Sequence, residues 1–383
     1  MRYYGCKNRL LDFLETGVKE TGINHGSSFC DLFSGTTIVA QHFKKKGYTI
    51  IANDILEFSY AIARTYIKNN DYPLFKGLKS RIEGVNGCKE NIVRVIEYLN
   101  NLAPLEGFIY KNYCPSGSKN GVYQRQYFSD ENGKKIDTIR SRIQEWKEKG
   151  LVSTDEFYIL LSSLLEAVPF VANISGNYAA FLKCWDPRAL KPLRLRIPEI
   201  PLSKRKNKVF KADANELIKK ISCDILYMDP PYNERQYAPN YFMLELIAEG
   251  WFNGNKPQIY GKTGMRPYEN QKSSYCQKTN VKDTFKDLIE NADTKYMLLS
   301  YNDEGLMSER EIIDILSSRG KVKILETDHR RYRSINQDET DRRIVKEKQI
   351  LPCCERGAVK SGKVDKSGDV YNRVIPIQRR FKS

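Results

Sequence analysis

Between residues 27 and 56 the apolar pattern changes period twice. "SSFCDLF" is apolar in the manner of a buried strand, "SGTT" interrupts it with small residues, and "IVAQHFKKKG" spaces its apolar residues three and four apart. These runs predict a strand over Phe29–Phe33, a turn over Ser34–Thr37 and a helix over Ile38–Lys46. Gly47 stops the helix, and Tyr48–Ala52 is the next strand. The result is a βαβ unit, the opening of a doubly wound, mostly parallel sheet. Later, "KVFKADANELIKKISCDILYMDPPY" repeats strand, helix and buried strand. "TKYMLLSYNDEG" and "KVKILETDH" read as strands flanking the helix "SEREIIDILSSRG", and "DVYNRVIPIQ" is expected to close the sheet as a last antiparallel strand. No internal repeat is visible.

Residues 70–205 have another texture. "IDTIRSRIQEWKEKG" places Ile136, Ile139, Ile143 and Trp146 on one helical face, with Arg140, Arg142, Lys147 and Lys149 mostly elsewhere. "EFYILLSSLLEAVPFVANISG" predicts an apolar helix ending near Pro169, and "WDPRALKPLRLRIPEIPLSKRKNK" a proline-broken basic arm. The expected organisation is an α/β domain from residues 1–69 and 206–335, an inserted, mainly helical domain over 70–205, and a basic tail over 336–383. Residues 334–368, charged and weakly periodic, are expected to form a mobile loop.

Charge adds a partner to this picture. The 383 residues carry a formal +16, concentrated in two blocks. Residues 111–210 hold +8 and residues 319–383 hold +9, while everything else sums to −1. Such blocks suit a polyanion, nucleic acid above all. There is no apolar run of transmembrane length and no signal-peptide pattern, so a cytoplasmic protein is expected. Nine cysteines without a Cys-x-x-Cys pair fit a reducing compartment. Three histidines leave little material for a His-based metal site or triad, and no metal is expected.

Two stretches carry chemistry. "DLFSGTT" puts Gly35 at a strand end, where a ligand can approach the backbone, and Asp54 ends the next strand, the usual place of an acid that holds ribose hydroxyls. Neither phosphate-binding glycine motif occurs, so a nucleoside without a pyrophosphate fits better. In "DILYMDPPYNERQY" a buried strand is stopped by an acid, two prolines and a tyrosine. Those parts suit an amine whose lone pair is delocalised into an aromatic ring. Asp229 and the Pro230 carbonyl can each accept one amine hydrogen, Pro230 and Pro231 hold both acceptors rigidly, and Tyr232 can stack on the base.

"DPPY" following "FSGT" resembles the DNA adenine methyltransferases that use S-adenosylmethionine, and the order of parts is that of their alpha class. "NERQYAPNYFMLELIA", "LSYNDEGLMS" and "VANISGNYAAFLK" are similar to segments of the branch containing the FokI-type methylase. The resemblance covers most of residues 1–75 and 170–335. It implies a sheet of the S-adenosylmethionine-dependent methyltransferase type and a cofactor pocket of Asp31, Phe33, Gly35, Asp54 and Ile55. "RYYGCKNRLLDFL" is similar to the class's opening motif, which adds Tyr3, Gly5 and Lys7, with Lys7 near the methionine carboxylate. Asp213 would accept from the cofactor's adenine amino group with Ala214 beside the ring, and Asp229, Pro230, Pro231 and Tyr232 would carry the transfer. The family's loop usually has a second glycine where this chain has Thr37, a poor substitute if φ is positive there.

The target adenine of a duplex must be flipped out to be reached. Arg235, Gln236, Tyr237 and Tyr241 follow the catalytic turn and are candidates to hold the flipped nucleotide or its gap; Arg140 and Lys147 are candidates for the backbone. A site-specific DNA adenine methylase of a restriction-modification system is expected, with duplex DNA and a cognate restriction endonuclease as partners. The chain length is expected to leave no room for a nuclease domain. The rival readings are an RNA adenine methyltransferase and a catalytically inactive DNA-binding relative.

Overall fold

The computed structural model describes residues 7–252, 254, 257–302, 304–330 and 344–353. Seven strands form one sheet: β1 (Ser28–Asp31), β2 (Thr49–Asp54), β3 (Lys208–Lys211), β4 (Ser222–Met228), β5 (Asp293–Asn302), β6 (Lys321–Arg330) and β7 (Ile344–Cys353). Their order is β3-β2-β1-β4-β5-β7-β6. The first five are parallel, and β7 runs antiparallel to both β5 and β6.

The central strands are buried on both faces, and their alternate side chains serve two layers. Phe29, Ile50, Ile225 and Leu298 pack against α1 (Leu11–Glu20) and α2 (Ile38–Lys45). Cys30, Ile51, Leu226 and Met297 pack against α8 (Ala214–Ile218), α11 (Val281–Asn291) and α12 (Glu309–Ser317).

The inserted stretch is helical as expected: α4 (Asn91–Asn100), α5 (Phe108–Tyr113), α6 (Asp130–Glu148) and α7 (Thr154–Val171). Its apolar face is continuous with α3 (Glu57–Ala63) and α10 (Phe242–Glu249), which follows the short α9 (Tyr237–Asn240); one cluster runs from Phe58 through Leu164 to Leu246. Ser162 donates its hydroxyl to the Ala61 carbonyl at 3.0 Å, and Phe58 N donates to the Glu245 carboxylate at 2.8 Å. α7 keeps Pro169 inside its last turn.

One expectation is corrected. The antiparallel strand that joins the sheet comes from residues 344–353, inside the stretch read as a mobile loop. Backbone pairing on both sides makes a strand there despite the charges of "KEK". "DVYNRVIPIQ" lies outside the described residues. Among the described residues no helix is long and apolar enough to cross a membrane.

Candidate active site

The chain builds outward from β1 to β2 to β3 and then returns to lay β4 beside β1. Strand order reverses there, and a crevice opens beyond the carboxyl ends of those two strands. A cleft of about 1000 Å³, counting its open mouth, occupies that position. It is lined by Asp31, Phe33 and Gly35 at and after the end of β1, by Asp54 and Ile55 at and after the end of β2, by Asp213 and Ala214 after β3, and by Asp229 and Pro231 after β4, with Lys7 beside them.

The bend after β1 is held by short polar contacts. Ser34 N donates to the Asn53 carbonyl at 2.9 Å, and Gly35, at φ +48°, donates its N–H to Asp54 Oδ2 at 2.8 Å. Asp54 Oδ1 accepts from Leu56 N at 3.0 Å, and burial pushes this carboxyl up to about 6. Asp31 is 1% exposed; Oδ2 accepts from Ala40 N at 3.2 Å, while Oδ1 and the buried Ser34 hydroxyl have no hydrogen-bond partner among the described residues. Burial raises the Asp31 carboxyl well above its ordinary value, with neighbouring Asp229 adding to the effect. Asp213 uses Oδ1 to cap α8, accepting from Asn215 N at 2.9 Å and Glu216 N at 3.2 Å.

At the corner after β4 the Lys7 ammonium lies 3.2 Å from Asp229 Oδ1, so the lysine expected at a cofactor carboxylate pairs with the acid expected to carry the transfer. Pro230 is buried behind Asp229 and Pro231. Tyr232 is half-buried, edge-on to Tyr301 at 6.4 Å, and its carbonyl accepts from Leu306 N at 2.8 Å. Tyr237 lines the cleft and stacks on Tyr241 at 6.3 Å.

Two candidates are corrected. Arg140 is 1% exposed: its Nε donates to the Ile247 carbonyl at 2.7 Å and its Nη2 to the Ala248 carbonyl at 3.3 Å, closing the end of α10. It cannot touch DNA from there. Tyr241, also 1% exposed, packs near Phe58 in the core and presents no face to a flipped nucleotide. Arg235 and Lys147 are exposed, the latter with its ammonium 4.1 Å from the Phe157 ring centroid. Tyr3 and Gly5 lie outside the described residues.

Sequence reasoning missed Asn53, Gln271, Ser273 and Tyr275, which also line the cleft. Asn53 had a signal: an amide inside the apolar run "TIIANDI" must find partners when buried. It donates to the Leu32 and Ala212 carbonyls at 3.2 and 3.1 Å and accepts from Ala212 N at 3.1 Å, tying two walls together.

The donor set suits S-adenosylmethionine, which carries positive charge on sulfur and on its amino group. Four aspartates (Asp31, Asp54, Asp213 and Asp229) line the cleft with Lys7, and two buried oxygens there, Asp31 Oδ1 and the Ser34 hydroxyl, have no partner among the described residues.

A family model for D12 class N6 adenine-specific DNA methyltransferases matches residues 3–315. The type II methyltransferase M.NlaIII of Neisseria lactamica is 42% identical over 347 residues, 90% of this chain and 95% of that protein. M.FokI of Planomicrobium okeanokoites is 43% identical over 345 residues, 88% of this chain and 50% of its own length. The modification methylase StsI of Streptococcus sanguinis is 40% identical over 342 residues, 88% of this chain and 49% of its own length. The chain thus spans about half of M.FokI and StsI and nearly all of M.NlaIII. With the switch-point cleft, its acidic lining and the Asp-Pro-Pro-Tyr corner in place, the chain belongs to the D12 class of N6 adenine-specific DNA methyltransferases, a family that works with S-adenosylmethionine.

Proposed function

We propose that this chain methylates the exocyclic 6-amino group of adenine at a specific site in duplex DNA, as the modification enzyme of a restriction-modification system in the cytoplasm. One observation carries the reading: the bend at Ser34–Gly35 and the corner at Asp229–Pro231 line the same cleft. A nucleoside cofactor and an extruded base would therefore meet within it.

S-adenosylmethionine, when bound, supplies an electrophilic methyl carbon on a positively charged sulfur. Asp54 would hold the ribose hydroxyls, and Asp213 would offer Oδ2 to the adenine amino group while Oδ1 caps α8. Asp229 and the Pro230 carbonyl would each accept one hydrogen from the target amine, drawing its lone pair out of the ring. Asp229 then takes the proton that nitrogen sheds once alkylated, a task open to an ordinary carboxylate because the alkylated amine is strongly acidic. Lys7 offsets the charge of Asp229 at this end. Residues 70–205 would read bases, with the exposed Arg235, next to cleft-lining Gln236, as a further DNA contact.

The test is tritiated S-adenosylmethionine with duplex DNA or RNA, followed by sequencing of methylated bases in DNA from expressing cells. Label is expected in duplex adenine. Label confined to RNA rejects the substrate, and none in either supports an inactive relative. Asp229→Ala should keep cofactor affinity and lower turnover by roughly 10²–10⁴; turnover near wild type would refute its role.

A further inference from the structure

Gln236, expected at the DNA, spends its side chain inward. Its Nε2 donates to the Ser273 carbonyl at 3.0 Å, and its Oε1 accepts from Ser273 N at 2.8 Å. Both ends of one amide are thus committed to one backbone residue, as a neighbouring strand would commit its own peptide groups. The next residue back is drawn to the same stretch: Cys276 Sγ donates to the Arg235 carbonyl at 3.5 Å.

The stretch that Gln236 grips is itself anchored elsewhere. Gln271 accepts from Arg266 Nη2 at 2.7 Å and donates to the buried Glu245 carboxylate at 2.5 Å. Tyr275 is 3% exposed, donates its hydroxyl to Asn215 Oδ1 at 2.8 Å, and meets the Phe33 ring edge-on at 5.2 Å. Gln271, Ser273 and Tyr275 all face the cleft. Residues 271–276 therefore form a wall that touches the turn after β4 through Ser273 and Cys276 and reaches Phe33 and Asn215, on the nucleoside side of the cleft, through Tyr275.

We infer that Gln236 is a positioning residue: it fastens the turn carrying Asp229 to a wall against which the cofactor packs, so that cofactor binding and the geometry of the corner are coupled. This rests on the function proposed above. The turn leaves the sheet at Met228 and regains regular structure at α9, and the two bonds of the Gln236 amide help to hold its far end, together with the Cys276–Arg235 contact and the Leu306–Tyr232 bond. Two hydrogen bonds to backbone are worth roughly a tenfold change in an equilibrium that depends on both.

The experiment compares the wild type with Gln236→Ala and Tyr275→Leu, measuring cofactor affinity without DNA by calorimetry and duplex affinity without cofactor by anisotropy. Gln236→Ala should weaken cofactor binding about tenfold, raise KM for the cofactor and lower kcat, and leave duplex affinity unchanged. Tyr275→Leu should show the same split, and the double variant should lose less than the product of the two single losses, because both act through one wall. Weaker duplex binding with unaltered cofactor binding would make Gln236 a DNA contact and overturn the inference; so would losses that simply multiply. A wild-type chain that bound no S-adenosylmethionine would instead overturn the proposed function, a result unlike either of those.

Discussion

Thr37 holds φ +61° and ψ 14°, a left-handed backbone at a β-branched residue. That conformation costs an L-residue about 1–2 kcal/mol. The surroundings offset it: Thr37 is fully buried, its carbonyl accepts from Gln41 N at 2.8 Å, and its Oγ1 accepts from Gln41 Nε2 at 2.9 Å. The concern raised by its place in the loop therefore has a physical answer, since Gly35 still reaches Asp54 and the bend keeps its shape. Thr37→Gly would release the strain while deleting a buried side chain and one hydrogen bond, terms of similar size and opposite sign. We expect a net stability change below about 1 kcal/mol, read from urea midpoints; a loss above about 2 kcal/mol would mean that the backbone is not strained. At this scale Gly35, Asp54 and Asp229 were legible because a strand end announces each of them. Tyr275 was not, because its partners Phe33 and Asn215 lie far away in the chain and no local pattern marks it.

Elements show where reading by periodicity stops. On α6 the sequence pattern separates Ile136, Ile139, Ile143 and Trp146 from the arginines, and those four are buried. Arg140 is buried as well, because the end of α10 arrives there with carbonyls that no later turn of that helix can satisfy. A period reveals which face is apolar, not which polar residue a distant helix end will recruit. Arg140→Ala should therefore lower stability by roughly 2–4 kcal/mol, because it strands buried carbonyls, and leave DNA affinity of the folded protein unaltered. Denaturation midpoints and duplex anisotropy measure the two effects separately. A normal midpoint with weakened duplex binding would return Arg140 to the surface. β7 was illegible for a related reason: its charges hide a strand that is fixed by β5 and β6 on either side rather than by its own alternation.

Over the whole molecule, charge is divided by task. The chain carries +16, yet the cleft is lined by Asp31, Asp54, Asp213 and Asp229 against Lys7. A basic exterior attracts a polyanion, whereas an acidic interior favours a small cation and would repel a phosphate that strayed inside. The two binding events should consequently respond differently to salt. If about five phosphates are neutralised, the slope of log affinity against log salt is about −4.5, and duplex affinity falls by about 500-fold between 50 and 200 mM. Cofactor affinity for the DNA-free protein should change by less than about threefold, because its partners sit within a few ångströms inside a cleft where screening is weak. Paired titrations across that range decide the matter. A duplex affinity that ignored salt would move recognition away from the basic blocks and onto contacts with base edges. A cofactor affinity that fell as steeply as the duplex affinity would mean that the acidic lining is open to bulk ions, and that the cleft does not separate the cation it holds from the polyanion outside.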